Sequence, residues 1–184
     1  MPLTILVLFF CFSAAQLRAE EYAPTLNGMS LNLGYTYDPS YKTSFAQVSV
    51  LRLYDYDRVW KHKAPENLRF KVESSLGGAR WNETDIRIIA SVNIFAMLYL
   101  TDSLANGIRP YVEAGIGGIY TDYRVYGQDY RFNFNPQAGI GLEFSTDNNA
   151  TWFSALRIHH LSNAGLGDTN RGQNSVILLI GQYF

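Results

Sequence analysis

Three shortages narrow the field before any motif is read. The sequence has one cysteine, Cys11, set in an N-terminal apolar run, so the chain beyond it has no disulfide, no reactive thiol and no thiolate metal site. After that run, no stretch approaches the roughly 20 consecutive apolar residues that a transmembrane helix needs. A surplus of one charge is also missing: 15 Lys and Arg face 16 Asp and Glu with no basic arm or patch, which argues against a nucleic-acid partner. Present in quantity are 13 Tyr, 11 Phe and 15 Gly among 184 residues, a composition of strands, turns and aromatic girdles rather than helices.

The apolar run itself, Ile5 to Phe12, is too short to span a bilayer as a helix and is followed by Ser13-Ala14-Ala15 and Leu17-Arg18-Ala19. The pattern is that of a secretory signal peptide over residues 1–19, cut after Ala19, although no basic residue precedes the run. Residues 20–184 then form one domain. An exported domain without disulfides needs another source of stability, and a closed barrel in lipid is one.

Apolar–polar alternation with period two recurs along the rest of the chain, the mark of a strand with unlike faces. From Arg131 to Ser145 the even positions Phe132, Phe134, Pro136, Ala138, Ile140, Leu142 and Phe144 are apolar, and the odd positions are polar or glycine. Leu68-Phe70-Val72 and Val112-Ala114-Ile116 repeat the pattern, while Leu31-Leu33-Tyr35 and Ala46-Val48-Val50 mark two earlier strands. Ile88 to Leu98 shows it too, although that stretch also reads as a buried helix. Asp38 to Tyr41, Gly77 to Asn82, Asp102 to Gly107 and Thr146 to Ala150 are turn-rich and read as connectors. With two C-terminal segments the strands number about eight, so the expected fold is all-β, an eight-stranded antiparallel transmembrane β-barrel.

Charge placement decides which face meets lipid. The polar face combines Gly, Asn and Gln with mixed charges at Arg69, Lys71, Glu73, Glu113, Glu143 and Arg157, a set suited to a narrow interior that must be filled and hydrogen-bonded. The other face is nearly free of charge, as lipid requires, since a midplane Arg or Lys costs about 2–4 kcal/mol. Val176, Leu178, Ile180 and Phe184 share one face at the C-terminus, which resembles the terminal strand of bacterial outer-membrane proteins even though Gln182 interrupts it.

Polar residues on that lipid-facing parity therefore need an explanation. Trp152, Leu156 and Ile158 continue outward into His160 and Ser162, two residues apart and roughly 6–7 Å from each other at Cα. A serine within reach of a histidine is the minimum for acyl transfer, because the imidazole removes the hydroxyl proton and later protonates the leaving group. By the same parity Asn174 shares the outer face of the last strand and can orient the imidazole. Asn163, with the amides of the Ala164-Gly165 turn, is the candidate oxyanion hole. Arg157 and His159 have the opposite parity and belong inside.

His160-Leu161-Ser162-Asn163-Ala164-Gly165, followed by Asn170 to Ser175 and an apolar terminal strand, resembles the lipid A 3-O-deacylase (PagL) family, and Arg109 to Gly117 is similar to that family's middle region. The resemblance implies an outer-membrane barrel and a carboxylic ester hydrolase. Its substrate would be lipid A, the membrane anchor of lipopolysaccharide, cut at the 3-O-linked acyl chain in the outer leaflet. No metal or organic cofactor is implied. His160 would be the general base, Ser162 the nucleophile, and Asn163 part of the oxyanion hole. The family pattern has a glutamate where this chain has Asn174. An amide there fixes the imidazole tautomer but cannot offset its charge, and the equivalent change in a serine protease costs up to about 10⁴ in kcat. Asp168 in the following loop is the candidate substitute. Two other classes stand beside this one: a non-catalytic small outer-membrane barrel with a structural, adhesion or resistance role, and a soluble periplasmic binding barrel, which the apolar outer face disfavours.

Other polar features carry less. His62 between Lys61 and Lys63 reads as a solvated connector residue, Asp55 and Asp57 lack further metal ligands, and Trp60, Trp81 and Trp152 read as interface anchors.

Overall fold

The computed structural model describes residues 24–39, 43–60, 62–81, 85–101, 107–146 and 150–184. The expected signal peptide and parts of the four connectors lie outside the described residues. Nine strands follow in order: β1 (Leu26–Asp38), β2 (Ser44–Asp55), β3 (Leu68–Trp81), β4 (Asp85–Tyr99), β5 (Ile108–Thr121), β6 (Phe132–Phe134), β7 (Gln137–Ser145), β8 (Thr151–Leu161) and β9 (Gln173–Tyr183). A short helix, α1 (Tyr56–Trp60), lies between β2 and β3. Here His62 is exposed and its Nδ1 lies 3.0 Å from the Trp60 carbonyl oxygen.

β6 and β7 are one stave. Both pair with β5 in a single register, from Gly118 opposite Phe134 to Gly115 opposite Gln137. Pro136 has no N–H to offer the ladder, so the pairing lapses there without a shift. Every neighbour is antiparallel, and the sheet closes because β4 pairs with β5 while β1 pairs with β9. The result is an eight-stave barrel with both ends of the described chain at one rim, since Gly28 of β1 lies opposite Tyr183 of β9.

The alternation read from the sequence is the in–out alternation of the barrel. Leu31, Leu33, Val48, Val50, Ile140, Leu142, Leu156, Ile158, Leu178 and Ile180 are exposed on the outer face. Ile88 to Leu98 is strand rather than helix, with Ser91 and Asn93 buried inside. Gly77 to Trp81 is strand as well, contrary to its reading as a connector. The two glycines there mark close packing rather than a turn: a Cβ on Gly77 would lie 1.9 Å from the Ala46 carbonyl oxygen of β2.

Among the buried charged side chains of the described residues, four form a cluster in which they balance one another. Arg157 Nη1 and Nη2 donate to Glu73 at 3.0 and 2.8 Å, its Nε donates to Glu113 at 2.6 Å, and Lys71 Nζ donates to the second Glu113 oxygen. Lys71 and Arg157 also lie over the Phe95 ring, 4.9 and 4.3 Å from its centroid. Two cations against two anions leave no net charge, and the cluster ties β3, β5 and β8 across the lumen. Replacing Arg157 with Met strands one carboxylate in the interior, a loss of about 3–5 kcal/mol. The expected outcome is a folded, heat-modifiable band on gels that disappears at a markedly lower urea concentration than in wild type.

Candidate active site

β8 and β9 place His160 and Asn174 directly opposite each other on the outer face, at the rim away from the chain ends. His160 Nδ1 lies 2.7 Å from Asn174 Oδ1, and Asn174 Nδ2 donates to Asp38 Oδ2 at 2.9 Å. The second bond settles the first. A carboxylate only accepts, so the asparagine must turn its NH2 to Asp38 and its oxygen to the imidazole. His160 Nδ1 therefore carries the proton and donates it to Asn174, which leaves the Nε2 lone pair free to act as a base.

Asp38 reaches this face through an irregularity. Along β1 the odd residues Leu31, Leu33, Tyr35 and Tyr37 point outward, and Thr36 is fully buried. Strict alternation would send Asp38 inward. Between Thr36 (opposite Ser175) and Asp38 (opposite Asn174) the register shifts by one residue at Tyr37, and this bulge turns Asp38 outward beside Asn174. Arg171 Nη2 donates to the other carboxylate oxygen, Oδ1, at 3.2 Å.

Ser162 follows β8 on the same parity as His160. Its backbone is fixed on both sides by Phe134, whose N–H donates to the Ser162 oxygen at 2.8 Å and whose oxygen accepts the Ser162 N–H at 3.0 Å. The Ser162 hydroxyl is not bonded to His160 in this structure, where the imidazole is bonded to Asn174. Gly172 closes the other side of the imidazole. Its φ of +78° suits glycine, and a Cβ there would lie 2.6 Å from His160 Cε1.

The loop from Asn163 to Arg171 is clamped rather than open. The buried Asn163 amide donates to Gln128 Oε1 and Asn170 Oδ1, its Nδ2 donates to the Thr169 oxygen at 2.8 Å, and its Oδ1 accepts the Gly165 N–H at 2.9 Å. The expected oxyanion donors of Asn163 and Gly165 are thus engaged in holding the loop. Thr169 donates from its N–H and its hydroxyl to Asp129, at 2.7 and 2.6 Å, joining this loop to the one after β5. Those bonds hold the Asp129 carboxyl below the usual carboxylate range. Asp168 is exposed in the same loop with no bond to His160, so the carboxylate that the site recruits is Asp38, which sequence reasoning placed in a connector.

Two depressions on the outer wall adjoin at Ala138 and Ile158. A recess of about 260 Å³ is lined by Tyr37, Pro136, Ala138, Ile158, His160 and Asn174. Ala138 and Ile158 also line a larger apolar groove of about 660 Å³. Its floor is a row of three cross-strand neighbours, Ala96, Ala114 and Ala138, on β4, β5 and β7, and its walls include Leu98, Val112, Ile140 and Leu156.

A closed barrel with an apolar exterior is the architecture of an outer-membrane protein, and the family match puts it among acyl-hydrolysing enzymes. The family model described as "Lipid A 3-O-deacylase (PagL)" matches residues 47–182, and the chain belongs to that family. It is 26% identical to the "Lipid A deacylase PagL" of Pseudomonas aeruginosa over 186 aligned residues, covering 97% of this chain and 94% of that one. Among solved structures it is similar to the outer membrane enzyme PagL, with a TM-score of 0.57 and 25% identity over 84% of this chain and 97% of that one. Neisserial surface protein A shares the fold at a TM-score of 0.55 and 14% identity, over 86% of this chain and 93% of its own.

Asn163→Ala removes both side-chain bonds that pin residues 165 and 169. A loss of about 1–3 kcal/mol is expected to be local, read as faster amide exchange or proteolysis in the loop with the barrel intact.

Proposed function

We propose that this protein is a serine esterase that removes the 3-O-linked acyl chain of lipid A in the outer leaflet of the outer membrane, with residues 1–19 serving as its export signal. The observation that carries the reading is the imidazole held outward at the lipid-facing rim, its base nitrogen left free by the Asn174 contact. A polar pair on a barrel's lipid face is unfavourable unless it lies near the interface and has a use there. If the chain ends lie on the periplasmic side, as in other outer-membrane barrels, this rim sits in the outer leaflet. The alanine-floored groove supports an acyl substrate, because it extends from the site along the wall where a lipid chain already lies.

In this scheme His160 Nε2 takes the Ser162 proton as Oγ attacks the ester carbonyl. The imidazolium then protonates the departing sugar oxygen, leaving an acyl-enzyme. Water, deprotonated by the same nitrogen, releases the fatty acid and restores Ser162. Nothing in these steps needs a cofactor. The reading of a non-catalytic barrel with a decayed site is disfavoured by the hydrogen-bonded chain from His160 through Asn174 to Asp38.

Mass spectrometry of lipid A from a host expressing the wild type should reveal species lacking one hydroxyacyl chain, and their absence would sink the proposal. Ser162→Ala and His160→Ala are each expected to lower turnover by at least about 10³-fold while the heat-modifiable fold persists. Filling the groove with Ala114→Phe should reduce kcat/KM for long-chain esters more than for short-chain ones. Equal loss on both would remove the groove from the substrate path.

A further inference from the structure

We infer that Asp38 is the positioning acid of this site, acting on His160 through the Asn174 amide. The inference rests on the esterase reading and deepens it. Three adjacent staves contribute one group each: His160 from β8, Asn174 from β9 and Asp38 from β1. The two links, 2.7 and 2.9 Å, run in one donor direction, from the imidazole N–H to the amide oxygen and from the amide N–H to the carboxylate. A negative charge at the far end polarises the amide, so its oxygen carries more negative charge toward the imidazole; hydrogen bonds in series strengthen one another in this way. The neutral Asn174, which alone cannot offset an imidazolium, thereby hands on the influence of a carboxylate.

The backbone is arranged to bring this about. The bulge at Tyr37 is what moves Asp38 from the lumen parity to the outer parity, and bulges recur where a side chain must be re-aimed near a site. Arg171 takes Oδ1 and leaves Oδ2 to Asn174, which fixes the orientation of the carboxylate. A role in stability explains the arrangement less well. The side chains of Asp38 and Arg171 are 45% and 46% exposed, and exposed pairs of this kind contribute little.

The test is a double-mutant cycle on esterase activity in purified, refolded full-length protein, with heat-modifiable migration as the fold control. Asp38→Asn keeps an acceptor for Asn174 and removes the charge. It is expected to lower kcat about tenfold, below the 10⁴ seen when a directly bonded acid is neutralised, with KM changed less than about twofold. Asn174→Glu puts a carboxylate directly beside His160 and should restore the activity of Asp38→Asn. In that background Asp38→Asn is expected to have no effect on kcat. The inference is overturned if Asp38→Asn leaves kcat of the wild type unchanged, or if it costs the same in both backgrounds, as a purely structural contact would. A wild type without activity, inert like Ser162→Ala, would instead reject the esterase reading and this inference with it.

Discussion

Backbone hydrogen bonding in a medium without water is the constraint on which the rest of this structure depends. In lipid each unpaired N–H or C=O is costly, so the sheet must leave no edge, and here the β4–β5 and β1–β9 ladders close it. Closure of only eight staves makes a narrow lumen that side chains must fill. The filling then has to satisfy itself, which accounts for the neutral cluster of Lys71, Glu73, Glu113 and Arg157 and for the asparagines and serines hydrogen-bonded around it. The outside must be apolar, so charged side chains such as Arg52 and Arg80 are kept toward the rims, while mid-wall Ser74 is polar but small.

That division explains where chemistry can sit on such a fold. The lumen holds the stronger charges, but they are sealed and consumed by one another. The rim away from the chain ends is the place where outward residues meet both lipid and polar loops. His160, Ser162, Asn174 and Asp38 all fall there, beside the clamped loops that hold Gly172 against the imidazole. The apolar groove adjoins the recess beside this rim at Ala138 and Ile158, so head group and chain of a lipid would have separate, adjoining places.

Period two made most of this legible from sequence. The run from Phe132 to Ser145 fixed its own faces, and the parity of Ile158 and Val176 carried outward assignments to His160 and Asn174, which the register then set opposite each other. What escaped were departures from period two and from simple turn chemistry. Asp38 was out of sight because one extra residue at Tyr37 reverses its parity, and nothing local in Tyr37-Asp38-Pro39 announces a bulge. Gly77-Gly78 suggested a turn, although the glycines serve close approach to β2. The engagement of Asn163, expected at the oxyanion hole, is not legible in sequence, because its partners Gln128, Thr169 and Asn170 come from two loops whose mutual packing no spacing rule predicts.

The seam of the barrel also has a bearing on when the site exists. His160 and Asn174 belong to consecutive strands and can meet in a hairpin, but Asp38 lies 136 residues from Asn174 in sequence and meets it only across the β1–β9 ladder. That ladder joins the first strand to the last, the contact with the greatest loop-closure cost in the fold. A hairpin of β8 and β9 alone would hold a histidine and a neutral amide. The carboxylate arrives with closure, so the same event that removes the sheet's last free edges also completes the polar chain behind the imidazole.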